Sequence, residues 1–189
     1  MITSQQFKQR WERVEGDHLV AFAESSLSDV RLPDDARAFL VEAGLPEEAT
    51  PFLNFEPPRG GTLKRVSTVF HQPPPLDRYR MVGGNGSGDP VCLDEEANGQ
   101  VVYLNHDNRF QRVLMASSVF TLAECLLELR DVIADAGGDT ELVALERYQH
   151  LLERFRTIDP AACEPDGFWP QEIGMLQPQE SKKWWQIWK

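Results

Sequence analysis

The hydrophobic period of this chain changes twice, and those changes narrow the folds open to it more than any other feature. Near the N-terminus Phe7, Trp11 and Val14 fall at i, i+4 and i+7 behind Ser4, which predicts a capped helix ending before Gly16. A second helix is predicted where Leu32 and Pro33 lead into Asp34 and Asp35, Phe39, Leu40 and Ala43 supply an apolar stripe, and Gly44 follows. From about residue 52 to residue 116 the pattern becomes short β-like runs, FLNF, LKRVSTV, RYRMVG, PVCLD, QVVYL and FQRVLMA, separated by turn formers. After MASS the helical period returns: Phe120, Ala123, Leu126, Leu127, Leu129, Val132 and Ile133 share a broad face capped by Ser117 or Ser118 and ending at Gly137 and Gly138. A last helix at about 140–157 lines up Leu142, Leu145, Tyr148, Leu152 and Phe155 before Pro160. Helices at both ends and strands between them predict an α+β fold, a mainly antiparallel sheet of about six strands flanked by N-terminal and C-terminal helices.

The links between the runs are short. Asn98 and Gly99 form a hairpin dipeptide, Gly83, Gly84, Gly86 and Gly88 offer backbone freedom around Asn85 and Ser87, and HQPPPLD at 71–77 lacks too many ladder donors to enter a central strand. At 189 residues the chain suits one domain, placed at 1–178. PDGFWPQEIGML has enough apolar bulk to dock on that body, and 179–189 reads as a basic Trp-rich tail.

Charge and chemistry exclude several function classes. The net charge of −11 repels polyanions, so direct nucleic-acid binding is disfavoured and a partner with a basic surface is favoured. The N-terminus lacks the apolar run of a secretory signal, and no stretch reaches the roughly 18 apolar residues of a membrane span, so no stable membrane insertion is expected and the compartment is read as cytoplasmic. Cys92, Cys125 and Cys163 are odd in number and set in apolar sequence, as expected of reduced, buried thiols. His18, His71, His106 and His150 are scattered without metal-ligand spacing, and GGNGSG runs into Asp89, Pro90 and a strand rather than a phosphate-binding helix. No catalytic set, metal site or cofactor is therefore expected. The candidate partner contacts are the acidic Asp89, Asp94, Glu95 and Glu96, with Asp94 alternatively capping its turn, and the aromatic Trp184, Trp185 and Trp188 of the tail. Its final stretch, KKWWQIWK, carries three lysines and no acids.

Five pieces occur in one order: RAFLVEAGLPEEATPFLNF, YRMVGGNGSGDPVCLDEEANGQVVYL, VLMASSVFTLAECL, IDPAAC and FW. Together, over roughly residues 33–176, they resemble the SUKH superfamily, in the branch of bacterial immunity proteins that forms its fourth immunity family. The matching positions are Gly44, Leu45, Pro46, Gly83, Cys92, Leu93, Asp94, Gly99, Val101, Ser117, Ser118 and Phe120. The resemblance implies an antiparallel sheet backed by helices and a protein that binds and neutralises a cognate toxin, often a nuclease, by stoichiometric complex formation without a cofactor. The alternative is a SUKH-like scaffold or regulatory binding module unconnected to a toxin. The Trp-Lys tail is not part of the resemblance.

Overall fold

The computed structural model describes residues 1–13, 16–50, 52–135 and 141–176. Helix α1 (Ser4–Trp11) is capped by Thr3 rather than by Ser4: the Thr3 hydroxyl accepts from Gln6 N and the Gln6 side chain returns the bond to Thr3 N, a reciprocal capping box. Its stripe buries Phe7 and Trp11, while Val14 lies outside the described residues. Helix α2 (Asp34–Glu42) places both aspartates at its positive end and buries Ala36, Phe39 and Leu40. Gly44 follows at φ +76, with a Cβ there only 2.1 Å from Val20 O, so glycine is required both by conformation and by close approach. The GLP turn then becomes strand β2 (Leu45–Pro46), paired antiparallel with β1 (Leu19–Val20).

The main sheet is an antiparallel meander of six strands in chain order: β3 (Glu48–Ala49), β4 (Leu53–Phe55), β5 (Tyr79–Asn85), β6 (Pro90–Asp94), β7 (Gln100–Asn105) and β8 (Gln111–Ala116). Its membership differs from the expectation at one edge. LKRVSTV is not a strand: Lys64 O accepts from Met81 N at 2.9 Å and Arg65 bridges Arg80, but Val66–Val69 then coils into a one-turn helix, α3. The apolar reason is that Val66 and Phe70, four apart, roof Tyr79, Cys92, Val102 and Leu104 on the sheet. The missing strand is supplied by Glu48 and Ala49, too short and polar to show a period.

Alternation along the central strands separates two faces. Val91 and Leu93 of β6 point into the large core, whereas Cys92 between them points into the small cluster under α3. On the helix face, α4 (Val119–Asp135) lies beside α1, α2 and α5 (Glu141–Ile158), and α6 (Phe168–Leu176) packs on α5 and β8. Phe168, Trp169 and Ile173 of α6 are buried, so PDGFWPQEIGML does dock on the body. Tyr148, Leu152 and Phe155 of the α5 stripe reach this core, and the Leu142 and Leu145 side chains lie outside the described residues.

Arg130 of α4 sits 4.8 Å from the Trp11 ring centroid and donates to Trp11 O and Arg10 O at 2.9 and 3.1 Å, satisfying the C-terminal carbonyls of α1. Ser118 caps α4 by accepting from Thr121 N at 3.1 Å. Ser117 instead donates its hydroxyl at 2.8 Å to Asp159, which also accepts from Thr121 Oγ1 at 2.8 Å and Ala162 N at 3.3 Å. The SS-x-F and IDPAAC pieces are thus two sides of one buried polar joint. No helix among the described residues is long and apolar enough to cross a membrane.

Candidate binding surface

The opposite face of the sheet, called here the open face, is roofed only in part, and the four acids expected at a partner contact lie beside it. Three are turned inward. Asp94 is fully buried: Arg78 Nε donates to its Oδ1 at 2.7 Å and Arg112 Nε to its Oδ2 at 3.3 Å. Its Oδ1 also accepts from Glu96 N at 3.1 Å, so Asp94 does cap the turn before Asn98 and Gly99. Glu95 accepts from Arg31 N at 2.9 Å and lies 3.3 Å from both Arg65 and Arg80. Arg80, only 2% exposed, donates onward to Leu63 O at 3.0 Å and Asp29 O at 2.8 Å, which ties the segments around residues 29, 63 and 95 to β5.

Asp89 accepts from His106 N at 2.8 Å, contacts its Nδ1 at 2.7 Å and accepts from Asn85 Nδ2 at 3.0 Å. Burial alone would raise this carboxyl, but the bonds from His106 and Asn85 outweigh it and hold Asp89 below its ordinary value. Glu96 is exposed and pairs with Arg78 at 2.8 Å. Trp184, Trp185 and Trp188 lie outside the described residues.

The three cysteines are free and buried. Burial raises all three thiols, Cys92 and Cys125 far above the ordinary range and Cys163 to about 11, so they are protonated at neutral pH and are poor nucleophiles. Among the described residues no cluster of three or more His, Cys, Asp or Glu side chains is arranged to hold a metal ion.

What sequence reasoning missed is a cleft of about 760 Å³ on the open face. Its floor is Asn54 of β4, Gly84 of β5 and Pro90 of β6, and around it stand the 56–60 loop, Lys64, Phe70 and Met81. The recess exists because the floor is made of small side chains: Asn54 pairs with Gly84, and Gly84 with Pro90, where three bulky residues would have filled it. Two residues before Asn54, outside the cleft lining, Phe52 is 82% exposed with φ 68, a left-handed conformation that is unfavourable for a bulky side chain. A Cβ on Gly86 would stand 2.9 Å from Phe52 Cβ, so this glycine makes room for the ring's position. The sequence signals were the paired Pro57 and Pro58 and the doubled Gly83 and Gly84, each of which also reads as an ordinary loop or turn.

Comparison with curated proteins and with solved structures finds no match. Among family models, that of the SUKH-4 immunity protein matches residues 8–176, from α1 to the end of α6, so it spans the helix core, the meander and the Asp159 joint together. The chain belongs to the SUKH-4 immunity protein family.

Proposed function

We propose that this protein protects the cell that makes it by binding a cognate toxin in the cytoplasm and holding it in an inactive stoichiometric complex, acting as a binder rather than an enzyme. The observation that carries the reading is the family match over residues 8–176. The charge layout supports a toxin with a basic surface: residues 1–50 hold ten acidic and five basic side chains, whereas residues 51–116 hold seven of each. Long-range attraction therefore originates mainly on the helical side, where it speeds encounter more than it sets final affinity.

Within the expected contact set, Glu96 is presented to a partner directly, and Trp184, Trp185 and Trp188 stay in the proposal through their chemistry as aromatic anchors. Asp89, Asp94 and Glu95 serve it indirectly, by fixing the strands and loops that carry the open face. Co-expression with the toxin domain encoded beside the gene should rescue growth, and the two purified proteins should elute as one complex. Undiminished toxicity with no complex would overturn the reading, and a gene neighbourhood without a toxin would favour the scaffold alternative.

A further inference from the structure

The glycines of β5 are not equivalent. A Cβ on Gly83 would lie 2.0 Å from Asn54 O, so the sheet itself requires glycine there. Gly84 carries no such requirement: its φ is not positive, and a Cβ would meet Asp89 O at 3.4 Å and Asn54 Oδ1 at 3.5 Å, ordinary contacts. A glycine inside a strand weakens it, so one that the chain does not need calls for another explanation. Gly84 faces the cleft, and any larger residue would occupy its floor.

The surroundings define what enters. Phe70 and Met81 give the cleft an apolar end, and Asn54 gives it an amide able to bond a main chain, the Asn85 amide being taken up by Ser87 and Asp89. Lys64 on the wall is exposed and makes no ion pair among the described residues, while both acids of the lining are engaged: Glu56 pairs with Arg59 at 3.4 Å, and buried Asp89 is bonded to His106 and Asn85. Exposed Phe52 lies two residues before Asn54 and outside the cleft lining, a position suited to an aromatic anchor.

We propose that this cleft receives an extended segment of the toxin, with an apolar side chain set against Phe70 and Met81 and a carboxylate facing Lys64, and that Gly84 is glycine to leave room for it. This rests on the toxin-binding reading and names the face used.

The test measures dissociation constants of the complex with the toxin domain encoded beside the gene, for the intact chain and for Gly84→Val, Lys64→Glu, Lys64→Arg and Phe52→Ala, with Gln149→Ala at an exposed, uncharged position of α5 as a control. Gly84→Val should weaken binding roughly thirtyfold, and Lys64→Glu and Phe52→Ala roughly tenfold, with Lys64→Arg and the control close to the intact chain. The urea midpoint of Gly84→Val should stay at or above that of the intact chain, because valine suits a strand. A complex that forms but is indifferent to Gly84→Val, Lys64→Glu and Phe52→Ala overturns the cleft alone. Failure of the intact chain to form a complex overturns both the cleft and the toxin-binding reading. Should Gly84→Val lower the urea midpoint, Lys64→Glu and Phe52→Ala, both at exposed positions, decide the matter.

Discussion

The two faces of the six-stranded sheet are finished by different means. On the helix face, α1, α2, α4, α5 and α6 bury one continuous apolar core in which the Trp169 ring meets Phe155 at a tilt and Phe168 edge-to-face, with centroids 4.5 and 4.9 Å away. On the open face the apolar contribution shrinks to Val66, Tyr79, Cys92, Val102 and Leu104 with a few half-buried neighbours, and the rest is held by the ion pairs that Arg78 and Arg112 make with Asp94. An apolar core gains from burial in proportion to area and needs no particular partner, so it tolerates a thick layer of helices. An ion-paired surface fixes segments at chosen points and leaves space between them, and the cleft occupies that space. One face is built for stability and the other for shape.

That contrast can be tested by substitution. The largest loss should come from the helix face: Trp169→Ala removes a fully buried ring and should lower unfolding free energy by about 3–5 kcal/mol in urea titration. A loss below about 1 kcal/mol would break the distinction. On the open face the costliest change should be polar. Asp94→Ala strands Arg78 and Arg112, but both reach water, so about 2–3 kcal/mol is expected, with Asp94→Asn milder because it keeps an acceptor. Phe70→Ala, which opens the apolar roof and its edge-to-face contact with Phe110 at 5.2 Å, should cost about 1 kcal/mol.

A smaller effect should appear in acid. Because the Asp89 carboxyl is held below its ordinary value when folded, its contribution is present above the unfolded-state value and is lost as pH falls through the folded one. Urea midpoints measured on descending pH should therefore fall less steeply for Asp89→Asn than for the intact chain, and parallel curves would remove Asp89 from the account. Smallest of all, Glu96→Lys disrupts an exposed pair and should change stability by less than about 1 kcal/mol while slowing association with a basic toxin in stopped flow.

The sequence showed the α+β class, the antiparallel order and most helix limits because those depend on local periods and turn formers. LKRVSTV was misread because alternation over seven residues describes a strand and a roofing turn equally well until Tyr79 and Cys92 are placed beneath it. The acids show the deeper limit. Asp94, Glu95 and Glu96 are consecutive and chemically alike, yet the first two are buried on arginines that are distant in sequence, such as Arg112 and Arg65, and only the third is exposed. Charge is legible in a sequence, but the partner that neutralises it is a tertiary fact. Likewise the pieces carrying the family resemblance mark where the fold is joined: GLP seats β2, CLD carries a buried ion pair and SS-x-F meets Asp159. They identify the family without pointing to the cleft.

The meander has a consequence for synthesis on the ribosome. Strands β3 to β8 pair with their immediate successors, so every hairpin but β4–β5, where residues 56–78 intervene, can close within a few residues of its emergence, and such local pairing is fast. The helix face follows a different schedule. Phe7, Trp11 and Phe39 appear first, but α4, which covers them and whose Arg130 completes the end of α1, follows about 120 residues later, and α6 later still. At about 5–20 residues per second, the apolar side of the early helices waits on the order of ten seconds for its cover. During that interval the nascent chain is most exposed to misassembly, on the face that becomes the most stable part of the finished protein.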